Sequence, residues 1–452
     1  MNASKVLSAA SIVMLLCLAR ESVAEVSAQE AEALKTTLTP VGAERAGNKS
    51  GTIPAWTGCD NKKAASVSGR RPDPFANEKP LFSITAKNLG EYKDALTDGQ
   101  LALFSKYPDY RMDVYPTHRT ACAPDWVYAN VAKNAMSAKV ANDGDTLTGA
   151  FGGIPFPIPK SGVQVMWNHQ LRWQSDAIEY NIDAVAVTTD NKQVLLSRGN
   201  DKEVRPYYFE EADRSKSPER FLKQVLETSG PPLHAGEALL FTEPLDYRGQ
   251  STQAWAYLPG QRRVRKLPVA DYDTPNPVAD GLGNIDEVAM FYGAMDRYDW
   301  KIVGKKEIYV PYNENRALQP KQNRDMLGAH FLNPDHVRWE LHRVWVVDAT
   351  LKSGMRHSLP HRRFYSDEDS WIILLADGWD AHSQLWRTYW HLTYDVPDMP
   401  GVVAGTFGLY DLLTGAWYAN GLMNEQRVQI SFPKRFPLDM YSPDGLAANQ
   451  VQ

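Results

Sequence analysis

An excess of charge of one sign is missing from this sequence. Its 452 residues carry 49 Lys and Arg against 54 Asp and Glu, a formal net charge of −5 at pH 7. No long basic block stands out, which argues against nucleic-acid binding by general charge attraction. Signatures of catalysis are missing too. There is no Gly-x-Ser-x-Gly elbow, no His-Glu-x-x-His, no Cys-x-x-Cys and no phosphate loop ending in Gly-Lys-Ser or Gly-Lys-Thr. Gly281-Leu282-Gly283 lacks a third glycine and does not support a dinucleotide site. Without these, no catalytic residue, metal or cofactor is assigned. Gly (30) and Pro (29) follow no period, so collagen-like and linker-like chains are excluded. No internal repeat argues for a propeller or solenoid. Strands do not alternate with 10–15-residue helices, which excludes a doubly wound parallel sheet.

Long apolar runs are also scarce. Val6 to Ala19 is a 14-residue stretch of apolar and small residues behind Lys5. It is too short to span ~30 Å of bilayer as a helix, and it fits the core of a secretory signal peptide. Ser22 and Ala24 supply the small residues a signal peptidase reads, so residues 1–24 are expected to be removed and the rest exported to the periplasm. Cys17 falls inside the removed segment. Cys59 and Cys122 remain. In an exported chain an even pair reads as a disulfide, with two separate buried thiols as the alternative.

Aromatic residues are abundant: 13 Trp, 21 Tyr and 14 Phe. Their placement divides the mature chain in two. Residues 25–150 are irregular and helical. An apolar stripe over 85–107 (Leu89, Tyr92, Leu96, Leu101, Leu103, Phe104) predicts helix, interrupted at Asp98-Gly99, and Trp126 to Val140 predicts a short helix or strand. Gly152 to Pro159 has three prolines in five positions and must be extended. Residues 151–452 read as strands: 181–189, 193–198, 204–209, 237–242, 253–258, 261–267 and 306–312. Further strands at 338–351, 362–365, 371–376, 384–394, 402–413 and 416–422 are joined by short turns, the pattern of an antiparallel meander. A helix is predicted at 218–228, with Pro218 in its first turn and Gly230 after its end.

Four constellations stand out. His357 and His361 lie near Asp367-Glu368-Asp369, but Pro360 breaks any helix that would align the imidazoles for a metal. Arg262, Arg263, Arg265 and Lys266 form a basic run, either a charged edge strand or a docking patch for a partner or anionic lipid. Asp286 and Glu287, with Asp296, Arg297, Asp299 and Trp300, suggest a salt-bridge cluster rather than acid–base chemistry. Finally, Trp339, Trp345, Trp386 and Trp390 lie on one-sided strand faces, Trp371 opens an apolar run, and Trp255 and Tyr257 align on an earlier strand. A packed core accounts for such residues, and so does a sheet curved around an apolar ligand.

The segments Leu38–Gly47, Gly51–Gly58, Met166-Trp167-Asn168-His169, Arg297-Tyr298-Asp299-Trp300 and Arg338–Trp345 resemble a large proteobacterial periplasmic family of unknown function. Trp255–Arg265, Asp369-Ser370-Trp371, Asp380 and Leu385-Trp386-Arg387 are similar to outer-membrane lipoprotein-sorting proteins of the LolA/LolB kind. The resemblance implies a mainly β (α+β) fold: a curved antiparallel sheet or half-open β-barrel over helices, with an apolar cavity. It implies a non-catalytic carrier for a lipid-like molecule, working with an exporter of the resistance–nodulation–division type and an outer-membrane protein. Cavity candidates are then Trp255, Tyr257, Trp339, Arg343, Trp345, Trp371, Trp386 and Trp390. Arg343 interrupts an apolar face and must meet an anionic head group or a protein carboxylate. An adaptor with a packed core, and a glycan hydrolase with paired carboxylates, are the alternative readings.

Overall fold

Runs rich in Val, Ile, Trp, Tyr and Thr, separated by tight turns, fold as strands that pair with their sequence neighbours. The computed structural model describes residues 26–59, 69–214, 216–268 and 271–449; the expected signal peptide and its cleavage site lie outside these. In chain order the strands are β1 (Phe82–Thr85), β2 (Arg111–Val114), β3 (Lys139–Ala141), β4 (Thr146–Thr148), β5 (Ala177–Val187), β6 (Gln193–Val204), β7 (Arg220–Gly230), β8 (Ala238–Pro244), β9 (Gln253–Leu258), β10 (Arg263–Lys266), β11 (Tyr298–Pro311), β12 (Trp339–Leu351), β13 (His361–Asp367), β14 (Ile373–Trp379), β15 (Leu385–Asp395), β16 (Val402–Asp411), β17 (Trp417–Leu422) and β18 (Ile430–Ser431). The helices are α1 (Ala28–Glu32), α2 (Asp98–Lys106), α3 (Asp125–Ser137), α4 (Gly162–Gln170), α5 (Asn323–Met326) and α6 (Pro443–Asn449). None of the described helices is long and apolar enough to cross a membrane.

Sixteen of the strands form one sheet, in the order β1-β2-β12-β13-β14-β15-β16-β17-β5-β6-β7-β8-β9-β10, with β11 beside β12 and β18 beside β5. Its pairs are antiparallel except for β2 with β12, which run parallel where Val114 meets Trp339. The sheet is therefore mixed. Register shifts between β13 and β14, β14 and β15, β15 and β16, and along β5 to β8 bend it. Among the described residues the path does not close on itself, so the sheet is curved and open, not a closed barrel.

Both faces of its centre are buried. On one, Val344, Val346, Leu374, Trp390, Leu392 and Trp417 pack with residues of β1, β2 and α2. On the other, Val347, Ala349, Phe364, Ile373, Tyr389 and Phe407 pack with residues of α3 and α4 and with Met290 and Phe291. Cover on both sides is why 372–375 is apolar at consecutive positions instead of alternating. A third cluster, Val204, Val225, Leu240 and Tyr257, is covered by Leu446 of α6.

The N-terminal half differs in detail from expectation. The 85–107 stripe is not one helix. Two 3₁₀ turns occupy Leu89–Ala95, and α2 begins only where Thr97 and Gln100 form a capping box. The helix predicted at 218–228 is overturned: from Arg220 onward these residues belong to β7, paired on both edges with β6 and β8. Leu222 and Leu226 are four apart and satisfy either period, and pairing on two edges supplies the backbone hydrogen bonds that a helix would supply internally. The strand expected at 193–198 runs on to Val204 as β6, whereas the strand expected at 204–209 is overturned: past Val204 the chain makes a 3₁₀ turn at Pro206–Tyr208. Cys59 and Cys122 are joined as a disulfide with α-carbons 5.7 Å apart.

Candidate functional site

A cavity lies on one face of β5 to β8. Side chains alternate along a strand, so Asp201 and Glu203 on β6 share a face with Leu222, Gln224 and Leu226 on β7. Register carries the row across the sheet: Tyr180 opposes Asp201, Asp201 opposes Leu226, and Gln224 opposes Phe241. The intervening residues Val204 and Val225 point the other way, under α6. His391, Phe407 and Asn420 extend the lining from β15 to β17. Residues 271–293 cover it, contributing Val278, Ile285, Val288, Ala289 and Tyr292. The cavity volume is about 160 Å³. An apolar cavity of ~150 Å³ accepts benzene, so this one has room for a small ring or part of an alkyl chain.

The cover is anchored by buried charge. Asp286 Oδ2 accepts from Arg362 Nη1 at 2.7 Å and from His357 Nε2 at 3.0 Å. Burial alone would raise the Asp286 pKa, but Arg362 and His357 prevail and hold it at about 2. Glu287 accepts from Arg387 Nη1 at 2.8 Å and from the Tyr389 hydroxyl at 2.7 Å. Between the acidic pair and the end of the cover, Ala289 and Met290 both have positive φ, 46° and 78°. Such conformations cost non-glycine residues ~1 kcal/mol or more each and persist only where surroundings impose them. His169 of α4 contributes to that constraint. Its Nδ1 accepts from the Ile373 amide at 3.1 Å, so Nε2 carries the proton and donates to the Ala289 carbonyl at 3.0 Å. Burial holds its pKa well below the usual histidine range.

The polar part of the lining has its own pattern. Arg205 pairs with Glu203 at 2.6 Å. Asp201 accepts from Gln224 Nε2 at 2.6 Å, and burial, reinforced by Glu203, pushes its pKa well up. Glu243 accepts from the Tyr247 and Thr252 hydroxyls at 2.9 and 2.8 Å, and burial pushes it up to about 7. Arg172 gives Nη1 to the His169 carbonyl and Nε to Gln174.

The eight residues chosen as cavity candidates lie elsewhere. Trp339 and Trp390 line a pocket of about 20 Å³ with Leu103 and Tyr110. Trp345 and Trp371 stack with ring centroids 6.3 Å apart, and Trp371 Nε1 donates to the Val41 carbonyl. Arg343 reaches the Ala46 carbonyl and lies 3.4–3.6 Å from carboxylates of Glu44, Glu307 and Glu368, so its partners are within the protein. Trp386 sits at the β14–β15 register shift, bonded to Asp411 and stacked under Arg387. Tyr257 is buried in the cluster beneath α6, and Trp255 lies beside Lys266. The aromatics of the meander are used by elements that cover both faces there. The signal that would have located the cavity was the alternation Leu222-Gln224-Leu226, obscured by the helix reading.

The remaining constellations lie outside the cavity. Arg263, Arg265 and Lys266 lie on β10, the terminal strand of the sheet, with Arg262 in the turn before it. Charge on an edge discourages pairing with other chains. His357 serves Asp286, whereas His361 stacks on Trp379. Asp367 and Asp369 instead converge on His342. Each is committed: His342 to Glu340 at 3.1 Å, Asp369 to Arg119 at 2.7 Å, and Asp367 to Tyr312 and Ser370. Asp286 and Glu287 do form salt bridges, but with Arg362 and Arg387 rather than Arg297, which faces Asp273.

Residues 83–447 match the family described as protein of unknown function (DUF1329). The chain is 39% identical over 473 aligned positions to an uncharacterized protein of Pseudomonas aeruginosa, with all of both chains covered. Similar solved structures include a DUF1329 family protein from Desulfovibrio piger, at 10% identity and a TM-score of 0.43, covering 63% of this chain and 97% of that one. Another is a putative outer membrane lipoprotein-sorting protein domain from Vibrio parahaemolyticus, at 11% identity and a TM-score of 0.42, with the same coverage. The match across most of its length and the full-length relative place the chain in the DUF1329 family.

Proposed function

We propose that this protein is a periplasmic carrier for a hydrophobic molecule, which it holds between strands β5–β8 and the cover formed by residues 271–293. The observation that carries this reading is the location of the cavity. The central sheet is packed on both faces, yet a lining that includes Leu222, Leu226, Phe241, Ile182 and Phe407 is left unfilled. Burying apolar ligand surface there is favourable by ~25 cal/mol per Å², and no bond need be made or broken. The exported location rests on the N-terminal segment, and delivery to or from an exporter and an outer-membrane protein rests on the resemblance of the sequence. Native mass spectrometry of protein recovered from cells without detergent tests the reading. A co-purifying apolar molecule, one per chain, is expected. Recovery of empty protein that also fails to take up octanol would overturn it.

A second reading has its own observation. Glu243 is a buried carboxyl beside the cavity with a pKa near 7, which suits proton transfer at neutral pH. Hydrolysis of a glycan or ester would then require Glu243. Loss of a measured hydrolytic activity in Glu243→Gln, with ligand binding retained, would favour the enzyme over the carrier.

A further inference from the structure

The polar groups of the cavity are unevenly satisfied. Its lining brings together Arg172, Arg205, Asp201, Glu203, Glu243 and Asp271, with His391, Tyr180 and Tyr292. Arg205 has a carboxylate partner in Glu203, but its Nη1 is buried without a hydrogen-bond acceptor. Arg172 is only 3% exposed. It has no carboxylate within ion-pair distance among the described residues, and its bonds to His169 and Gln174 use only Nη1 and Nε. The acids nearby are engaged in part: Asp201 Oδ2 accepts from Gln224 while its Oδ1 has no hydrogen-bond partner, Glu243 accepts from two hydroxyls, and Glu203 pairs with Arg205. Burial pushes Asp201, Glu243 and Asp271 toward their neutral forms and His391 likewise. A buried guanidinium without a counter-charge is costly, and the apolar side chains of β7 and β8 share the same cavity.

We propose that the ligand is an amphiphile with a single anionic oxygen head, a carboxylate or phosphate, seated on Arg172 and Arg205 with its apolar tail against Leu222, Leu226 and Phe241. This rests on the carrier reading and adds the class of ligand to it. Arginine suits the role because its planar fork presents several donors to one oxyanion. Arg172 and Arg205 both line the same cavity, together with Tyr180 and Leu222.

Calorimetric titration of the full chain with octanoate, octanol and octylammonium tests this, because the three share a tail and differ in head charge. A charge-assisted hydrogen bond contributes ~1.5–3 kcal/mol, so octanoate should bind about ten to a hundred times tighter than octanol, with octylammonium weakest. Arg172→Gln should abolish the advantage of octanoate while keeping octanol binding, and Arg172→Lys should restore part of it. Equal binding of octanoate and octanol by the native chain, or an undiminished octanoate advantage in Arg172→Gln, overturns the head-group assignment and leaves the carrier reading standing. Binding of none of the three overturns both. If Arg172→Gln does not fold, the octanoate-to-octylammonium ratio of the native chain decides: a ratio near one or below overturns the assignment.

Discussion

Asp286 Oδ2 stands 2.7 Å from Nη1 of Arg362, and both side chains are almost fully buried. The pair joins the cover of the cavity to β13, and Glu287 repeats the arrangement with Arg387 on β15. A loop with two consecutive positive-φ residues is thereby held against the sheet by ion pairs rather than by apolar packing alone. Removing one partner leaves the other charged and buried.

That asymmetry gives the first prediction. Asp286→Ala should destabilise the fold by ~3–5 kcal/mol in chemical denaturation, because Arg362 loses its counter-ion. The double change Asp286→Leu with Arg362→Met should be much closer to the native protein. Equal losses in the single and double variants would contradict it.

Acid should act on the same pair. The Asp286 pKa is depressed from its ordinary 3.8 to about 2 in the folded state. Its contribution is therefore fully present above pH 3.8 and is lost as pH falls from there toward 2. The amount is about 2 kcal/mol. Melting curves across that window, compared with Asp286→Asn, should show the variant losing less stability than the native chain.

His342 works at the opposite end of the pH scale. Burial opposes its charge, but Asp367 and Glu340 prevail and raise it to about 9. A raised histidine stabilises below its unfolded value of ~6.5 and loses that contribution as pH climbs toward 9. Native protein should therefore lose on the order of 3 kcal/mol between pH 6.5 and 9, and His342→Gln should lose less. A flat native profile with an unchanged variant would contradict the charged state.

Much of the fold was legible, and the cavity was not. Strands β12 to β17 follow one another through short turns, and local alternation is enough to mark them. The covered faces depend on distant pairings: β2 reaches β12 across more than two hundred residues, and residues of α2 share a core cluster with Trp339 and Trp390. Nothing local in Trp339 or Trp390 says whether a helix or a ligand lies above it. The partners of Asp286 and Glu287 lie 76 and 100 residues away, so the sequence suggests a salt-bridge cluster but not its members. Leu222 and Leu226 were hidden because their spacing fits both helix and strand, and Pro218 and Gly230 are common helix boundaries.

The Cys59–Cys122 bridge was legible from cysteine number and expected export, and it closes a separation of 63 residues. Replacing both cysteines with serine should lower stability by up to ~4 kcal/mol if chain entropy dominates. An unchanged denaturation midpoint would show that the N-terminal segment is held by its hydrogen bonds to Trp371 and Arg343 instead.

Filling the cavity should separate binding from folding. Leu226→Trp adds volume where space exists, so its cost should stay below the ~1–3 kcal/mol typical of overpacking a filled core, while binding of octanol should be lost. Trp390→Ala should do the reverse, costing ~3–5 kcal/mol as a core truncation and leaving octanol affinity in the folded fraction unchanged.

Methyl-resolved NMR during an octanol titration tests the location of the ligand most directly. The expected result is saturable one-to-one shifts of the Leu222 and Leu226 methyls, with Leu374 and Val346 on the packed face unmoved. Shifts centred instead on Leu103 and Leu392 beside Trp339 and Trp390, or no shifts at all, would contradict a ligand site on β5 to β8.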